Sequence, residues 1–198
     1  MIRNEALKKD EGRMKRLVIL LVLLTGCGSV TTKPVVVKRE VPTVNLPVAL
    51  RQKNWVDSSG SGSCVHASFI VLARWHRYYK LADSWRQAYA GGEWPEDIED
   101  KFNNARVRFS STRGHDNIAF LEWALRTRRG AAVFVEGGLH CVNLVYLDDN
   151  VAGILDNNDT DTIKYVSRKA FEAEWTASGS YAFVLIYTPP PPMPVWRT

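Results

Sequence analysis

The chain has 198 residues, of which 45% are hydrophobic and 11% aromatic, so it can form one domain with a buried core and a short appendage. Its net charge of +5 is unevenly placed: residues 1–26 hold six Lys or Arg residues against three acids, a net +3 that leaves about +2 for the remainder. This composition excludes a chain that is disordered throughout, and the nearly neutral body predicts that nucleic acid is not a partner.

The N-terminal segment, residues 1–26, is predicted to be an export signal. A short positive region at residues 14–16 precedes an unbroken aliphatic run at residues 17–24. The run is too short to span a bilayer, and the positive residues come before it, as in a secretory signal. Either Met1 or Met14 can be the true start of such a segment.

The signal segment ends in Leu24-Thr25-Gly26-Cys27, which resembles the bacterial lipoprotein box. In that family the cysteine is diacylated and becomes the first residue of the mature protein. The resemblance therefore implies that Cys27 carries lipid and tethers the chain to a membrane of the cell envelope. Gly28 after the cysteine favours the outer membrane, where the cell has one. The alternative is a plain signal peptide in which Cys27 is incidental.

Three parts are predicted after the signal. Residues 27–49 contain three spaced prolines and form an extended tether. Residues 50–188 form the folded domain. Residues 189–198 are a polyproline tail, which either lies extended on the domain or binds a partner that recognises proline.

Within the domain, helices come first and strands follow. Apolar periodicity and caps predict helices at residues 64–79, 82–90, 96–104 and 117–129, the last with Asp116 as its N-cap. Short β-rich runs predict strands at residues 131–136, 140–148, 151–156, 162–167 and 181–187, with one helix between them at residues 168–177, capped by Ser167. Helices followed by an antiparallel sheet indicate an α+β fold, with the helix that begins at Cys64 packed on the sheet.

Cys64 lies where a loose Ser/Gly stretch, residues 58–63, becomes an apolar helix. A cysteine that only fills the core would lie inside the apolar run, although a buried structural role is the alternative. The partial positive charge of a helix N-terminus favours the thiolate, which is the nucleophilic form of cysteine. The position of Cys64 therefore predicts a nucleophile.

His140 and Asp156 are placed to serve that nucleophile. His140 opens one predicted strand after a flexible Gly-Gly pair, and Asp156 closes the next strand. A nearby imidazole can form an ion pair with the thiolate and later protonate the leaving group. An acid on the neighbouring strand can bond the other ring nitrogen and fix its tautomer. A packing histidine and a turn-forming aspartate are the alternatives.

At this point the chain resembles the papain-like cysteine peptidases, and within them the compact group that includes the bacteriocin-leader, or double-glycine, peptidases. The likeness covers roughly residues 50–187 and is carried by the stretches GSGSCVHAS, GGLHCVNLVYLDD and VAGILDNND. It implies Cys64 as nucleophile, His140 as base and ion-pair partner, and Asp156 as the residue that orients the ring. Asn157 is the alternative orienting residue. The resemblance implies no metal and no cofactor.

One feature of that family is displaced in this chain. The family places a glutamine several residues before the cysteine as an oxyanion donor, and here Ser58 and Ser59 occupy that stretch. Gln52 can take the role only if the Ser/Gly loop bulges out, and Asn54 is the other candidate. The backbone N–H of Cys64 is a donor in either case.

Cys141 offers a different chemistry, a disulfide or zinc site with Cys64. Neighbouring residues on a strand point to opposite faces of the sheet, so if His140 faces Cys64 we expect Cys141 to face away. The same geometry argues against zinc bound by these residues.

The sequence thus predicts a membrane-anchored thiol hydrolase that cleaves a peptide or amide bond in the bacterial envelope through an acyl-enzyme on Cys64. A peptide and a peptidoglycan-type substrate both fit. The alternative is an inactive lipoprotein of the same fold with a binding or structural role. The sequence gives no indication of oligomeric state.

Overall fold

The computed structural model of this chain describes residues 46–114 and 117–187, together with the backbone of residues 43–44 and 196–197. The predicted signal segment 1–26, Cys27, most of the tether 27–49 and most of the tail 189–198 lie outside the described residues. None of the helices in the described part is long and apolar enough to cross a membrane.

The described residues form five α-helices and eight strands. The helices are α1 (Cys64–Trp75), α2 (Tyr79–Ala88), α3 (Pro95–Asn104), α4 (Ile118–Arg126) and α5 (Arg168–Ala177). The strands are β1 (Thr43–Val44), β2 (Phe109–Thr112), β3 (Ala131–Val135), β4 (His140–Leu147), β5 (Val151–Asp156), β6 (Asp159–Ser167), β7 (Ala182–Leu185) and β8 (Trp196–Arg197).

α1 ends four residues earlier than predicted. Arg77 has a positive φ of 64°, and the N–H of Tyr78 donates to the carbonyl of Ala73 at 2.9 Å. This left-handed residue with a backward hydrogen bond is a common way to end a helix. The chain therefore turns after Trp75 and starts α2 at Tyr79.

The helix caps agree with prediction at one site and differ at another. Ser167 caps α5 as predicted, its hydroxyl accepting from the N–H of Ala170 at 3.2 Å. The prediction that Asp116 caps α4 is wrong, because Asn117 is the N-cap and its side chain accepts from the N–H of Phe120. α4 therefore begins at Ile118, one residue later than predicted.

Six strands form one antiparallel sheet in the order β2-β7-β3-β4-β5-β6. The β4–β5 turn is closed by Asp148, whose Oδ1 accepts from the N–H groups of Asn150 and Val151, both at 2.7 Å. β2 was not predicted from the sequence. It is a four-residue edge strand of sequence FSST, which has too little apolar alternation to signal a strand.

The two faces of the sheet are both covered by helices. All residues of β3 are buried, and they alternate between two clusters: Ala132 and Phe134 pack with α1, α2 and α3, whereas Ala131, Val133 and Val135 pack with α4 and α5. This period-two alternation is expected of a strand between two layers. The α+β class, with the helix beginning at Cys64 packed on a C-terminal antiparallel sheet, is confirmed.

The folded core extends into the end of the segment predicted as tether. Leu46 is 1% exposed and packs with Val71 and Trp75 of α1. Further out, β1 pairs antiparallel with β8, with Thr43 opposite Arg197.

Candidate active site

The Ser/Gly stretch before Cys64 forms a small hairpin. Val56 pairs with Gly62, and the N–H of Ser63 donates to the carbonyl of Trp55 at 2.8 Å. Asp57 closes the turn, because its Oδ1 accepts from the N–H groups of Ser59 and Ser61. The Ser/Gly loop therefore bulges out between residues 56 and 62, and such a bulge is required if Gln52 is to act as the oxyanion donor.

The N-terminus of α1 has no side-chain cap. The N-cap residue is Ser63, but its hydroxyl accepts from the N–H of Gly91 at 2.7 Å and makes no capping bond. The first turn of α1 contains no acid. The partial positive charge of this helix end is therefore not neutralised by a side chain on the helix, and it acts on the half-buried Cys64.

The structure brings His140 to Cys64. The imidazole of His140 interacts with the Cys64 side chain, and its Nε2 lies within hydrogen-bond distance of Asp156, 3.0 Å from Oδ1. Because Asp156 engages Nε2, Nδ1 is the ring nitrogen left for the sulfur. His140 is 7% exposed. The three residues predicted from the sequence thus meet at the start of α1.

The charges at this site hold His140 in its protonated form. Burial acts to lower the pKa of His140, but the hydrogen bonds to Cys64 and Asp156 and the charges of both groups outweigh it and raise the pKa to about 9. An imidazolium between a thiolate and a carboxylate is the charge state that a cysteine nucleophile requires.

Asp156 is kept ionised by three donors. Its Oδ1 accepts from His140 and from the N–H of Asn158 at 2.9 Å, and its Oδ2 accepts from Lys164 Nζ at 2.9 Å. Burial acts to raise the pKa of the Asp156 carboxyl, but the bonds from Asn158, His140 and Lys164 outweigh it and lower the pKa. Lys164 is a contributor that the sequence analysis did not identify, because β6 had to be paired with β5 before its position was known.

The side-chain amide of Asn157 bonds main-chain carbonyl groups and the Ser68 hydroxyl, not the imidazole of His140. It is 1% exposed, and its Nδ2 donates to the carbonyl oxygens of Cys64 and Cys141 at 3.0 and 2.7 Å. Between the two alternatives, the residue that bonds the ring of His140 is therefore Asp156.

Cys141 lies on the α1 face of the sheet, so the prediction that it faces away from Cys64 is wrong. It is fully buried in the cluster that contains Val65 and Phe69 of α1. Alternation along β4 is kept, but His140 is the first residue of the strand, and its ring reaches Cys64 from the strand end. Cys64 and Cys141 are both free thiols, and burial raises the pKa of Cys141 well above its usual value.

The two candidate oxyanion donors make other hydrogen bonds. Gln52 Nε2 donates to the carbonyl of its neighbour Lys53 at 2.9 Å, on the exposed surface. Asn54 Nδ2 donates to Asn158 Oδ1 at 3.0 Å and lies close to Gly62. Continuing the hairpin register from Val56 and Gly62 places Asn54 opposite Cys64.

Within the described residues, no group of three or more His, Cys, Asp or Glu side chains is arranged to hold a metal ion. His66, which lies one turn from the site on α1, is engaged by Trp85 and Glu93.

The comparisons with known proteins give a partial likeness to solved structures. No family model matches the chain, and no curated protein matches it. Among solved structures, the chain is similar to the crystal structure of a candidate C39-like peptidase from Bacillus anthracis, with 16% sequence identity and a TM-score of 0.43. The match covers 49% of this chain and 60% of that one.

Proposed function

We propose that this protein is a papain-like thiol hydrolase that cleaves a peptide or amide bond through an acyl-enzyme on Cys64. The observation that carries the proposal is the position of His140, which bonds Cys64 on one side and Asp156 Oδ1, at 3.0 Å, on the other. A histidine that only fills the core would not be expected to interact with both a thiol and a carboxylate, so this pair of partners favours a catalytic role.

The chemistry follows from these three groups. The Cys64 thiolate attacks the substrate carbonyl carbon, and the His140 imidazolium gives its proton to the leaving amine as the C–N bond breaks. Water then attacks the thioester, with His140 taking its proton, and the C–S bond breaks to release the acid and regenerate the Cys64 thiolate beside the His140 imidazolium. Asp156 holds the ring and stabilises its charged form throughout.

The substrate and the location remain part of the proposal. We infer an envelope substrate, either a peptide or a peptidoglycan-type amide, from the signal segment 1–26 and the lipoprotein box at Cys27. Incorporation of labelled palmitate into the wild-type chain, lost in Cys27→Ser, is the result expected for the anchor. A Cys27→Ser chain that still takes up the label at another position would contradict the anchor.

A second candidate is an inactive protein of the same fold with a binding role. The observation in its favour is that both candidate oxyanion amides are engaged elsewhere, Gln52 with Lys53 and Asn54 with Asn158. The intact contacts of Cys64, His140 and Asp156 favour the enzyme.

Alkylation of the full chain by iodoacetamide separates the two. At about pH 6 we expect Cys64 to react faster in the wild type than in His140→Ala, by about tenfold or more, because the imidazolium assists the nucleophile. Cys64→Ser is the control that measures labelling at the other two cysteines. Hydrolysis of fluorescein-labelled casein and of purified peptidoglycan is assayed with the same proteins.

Equal and slow labelling in wild type and His140→Ala would support the inactive candidate. Fast, His140-dependent labelling with cleavage of either substrate would support the hydrolase and identify its substrate class.

A further inference from the structure

A buried amide lies behind the nucleophile and the histidine strand. Asn157 Nδ2 donates to the carbonyl oxygen of Cys64 at 3.0 Å, to that of Cys141 at 2.7 Å and to Ser68 Oγ at 3.1 Å. Cys64 carries the sulfur, and Cys141 directly follows His140. One side chain is therefore bonded to the main chain on both sides of the sulfur–imidazole contact.

The backbone of Asn157 adds two more connections. Its carbonyl oxygen accepts from the N–H of Asn54 at 2.8 Å, in the hairpin that leads into Cys64. Its own chain neighbour is Asp156, which bonds the ring of His140. The segments that carry the thiol, the imidazole and the carboxylate all meet at this residue.

The surrounding polar groups fix α1 against β4. Ser68 Oγ donates to the carbonyl of Cys141 at 3.1 Å, and Asn143 Nδ2 donates to the carbonyl of Ser68 at 3.0 Å. Ser68, Asn143 and Asn157 are all buried. Hydrogen bonds of this kind in a dry interior are directional, and within this network Asn157 is the side chain that bonds the main chain of both Cys64 and Cys141.

We propose that Asn157 is a positioning residue, which sets the separation of the Cys64 sulfur and the His140 ring by bonding the carbonyl oxygens of Cys64 and Cys141. The inference rests on the proposed function, because it assigns a role within the same site. Asn157 donates to main-chain atoms and takes no part in the proton transfer itself.

The expected consequence is a loosening of the nucleophile. In Asn157→Ala the two carbonyl oxygens lose their shared donor, and the first turn of α1 can shift relative to the start of β4. Misplacement of reacting groups by about 1 Å can cost about 100-fold in rate, even when the altered residue does not touch the substrate. The loss should appear in kcat, with KM little changed, because the substrate cleft itself is not altered.

Asn143 provides a matched control. It is also a fully buried asparagine of the same network, and its side-chain amide donates to the carbonyl of Ser68, not to those of Cys64 and Cys141. Asn143 donates to one buried carbonyl oxygen and Asn157 to two, so both alanine variants should lower the stability, by amounts of the same order. Only Asn157→Ala should disturb the pairing of thiol and imidazole.

The test measures two quantities in wild type, Asn157→Ala, Asn143→Ala and His140→Ala. The first is the rate of alkylation of Cys64 by iodoacetamide as a function of pH, and the second is kcat and KM for the substrate cleaved by the wild type. We expect Asn157→Ala to lose about tenfold or more of the His140-dependent alkylation at about pH 6, and a similar factor in kcat. Asn143→Ala should stay within about threefold of wild type in both, with a loss of melting temperature of the same order.

Each outcome decides the matter. Wild-type alkylation that does not depend on His140 would contradict the proposed function, and the positioning role with it. If wild-type alkylation depends on His140 but Asn157→Ala and Asn143→Ala change its rate by the same factor, the positioning role alone is contradicted. If Asn157→Ala does not fold, Asn157→Ser, which keeps one donor, replaces it. If neither folds while Asn143→Ala does, Asn157 serves folding and the positioning role is wrong.

Discussion

His140 Nε2 lies 3.0 Å from Asp156 Oδ1, although the two residues are 16 positions apart in the chain. The β4–β5 hairpin makes the contact possible, because His140 begins one strand and Asp156 ends the other. The β4–β5 register shifts by one residue between Tyr146 and Leu144, and the register beyond that bulge determines which carboxylate reaches the ring.

The charge of Asp156 is expected to matter more than its hydrogen bond. In Asp156→Asn the side chain keeps its shape but no longer stabilises the imidazolium, so we expect kcat to fall by about 100-fold with KM little changed. Asp159→Asn is the control, because Asp159 begins β6 and accepts from Asp161 and Thr162. Steady-state kinetics with the substrate of the wild type measure both, and similar losses in the two variants would show that the charge at Asp156 has no special role.

The activity should decline at alkaline pH as His140 loses its proton. The pKa of His140 is raised to about 9 by Cys64 and Asp156 against the effect of burial. Since the imidazolium must protonate the leaving amine, we expect kcat to fall as the pH rises through about 9. In Asp156→Asn the descending limb should move to lower pH. A pH profile of kcat from about 5 to 10 tests this, and a limb unmoved by Asp156→Asn would contradict the assignment to His140.

Gln52 is expected to be the side-chain oxyanion donor. Its amide makes only a local bond to Lys53 on the surface, which can be exchanged, whereas the amide of Asn54 is held by Asn158. We expect Gln52→Ala to lower kcat by about 100-fold or more, as removal of an oxyanion donor does elsewhere. Asn54→Ala, the matched control, should reduce the melting temperature more than kcat. If Asn54→Ala lowers kcat more than Gln52→Ala does, Asn54 is the oxyanion donor instead.

The sequence predicted the members of the site better than their surroundings. Cys64, His140 and Asp156 each lie at the end of a helix or strand, and such ends can be recognised in the sequence by nearby Ser, Gly and other turn-forming residues. The role of Asn157 could not be predicted, because its partners are carbonyl oxygens, which every residue has. The contact of Lys164 with Asp156 could not be predicted either, because it depends on the register of β5 and β6.

The error over Cys141 has a related cause. Alternation correctly placed His140 and Cys141 on opposite faces, but it could not say which face α1 covers. α1 covers the face of Cys141, and the ring of His140 meets Cys64 at the end of the strand. The helix layer on the other face, formed by α4 and α5, likewise depends on tertiary packing that periodicity does not reveal.

Two buried histidines, His66 in α1 and His76 directly after it, should make the fold sensitive to acid. His66 Nδ1 accepts from Trp85 Nε1 at 3.1 Å, so its proton is on Nε2, which faces Glu93 Oε1 at 3.3 Å. Burial lowers the pKa of His66 to about 4, despite Glu93. Burial, aided by the Arg129 guanidinium, lowers the pKa of His76 to about 4 as well. Both rings are therefore neutral in the folded protein at pH 6.

Between about pH 6.5 and pH 4 the unfolded chain binds protons at His66 and His76 that the folded chain does not, so the free energy of unfolding should fall as the pH falls. Each histidine should lower the free energy of unfolding by about 3 kcal/mol as the pH falls across that window. His140 acts in the opposite sense, because its raised pKa contributes stability that is lost as the pH rises through about 9. Urea denaturation at a series of pH values measures the slope. We expect His76→Phe, which cannot take up a proton, to show about half the wild-type decline below pH 6.5. An unchanged decline would mean that His76 is already protonated in the folded protein.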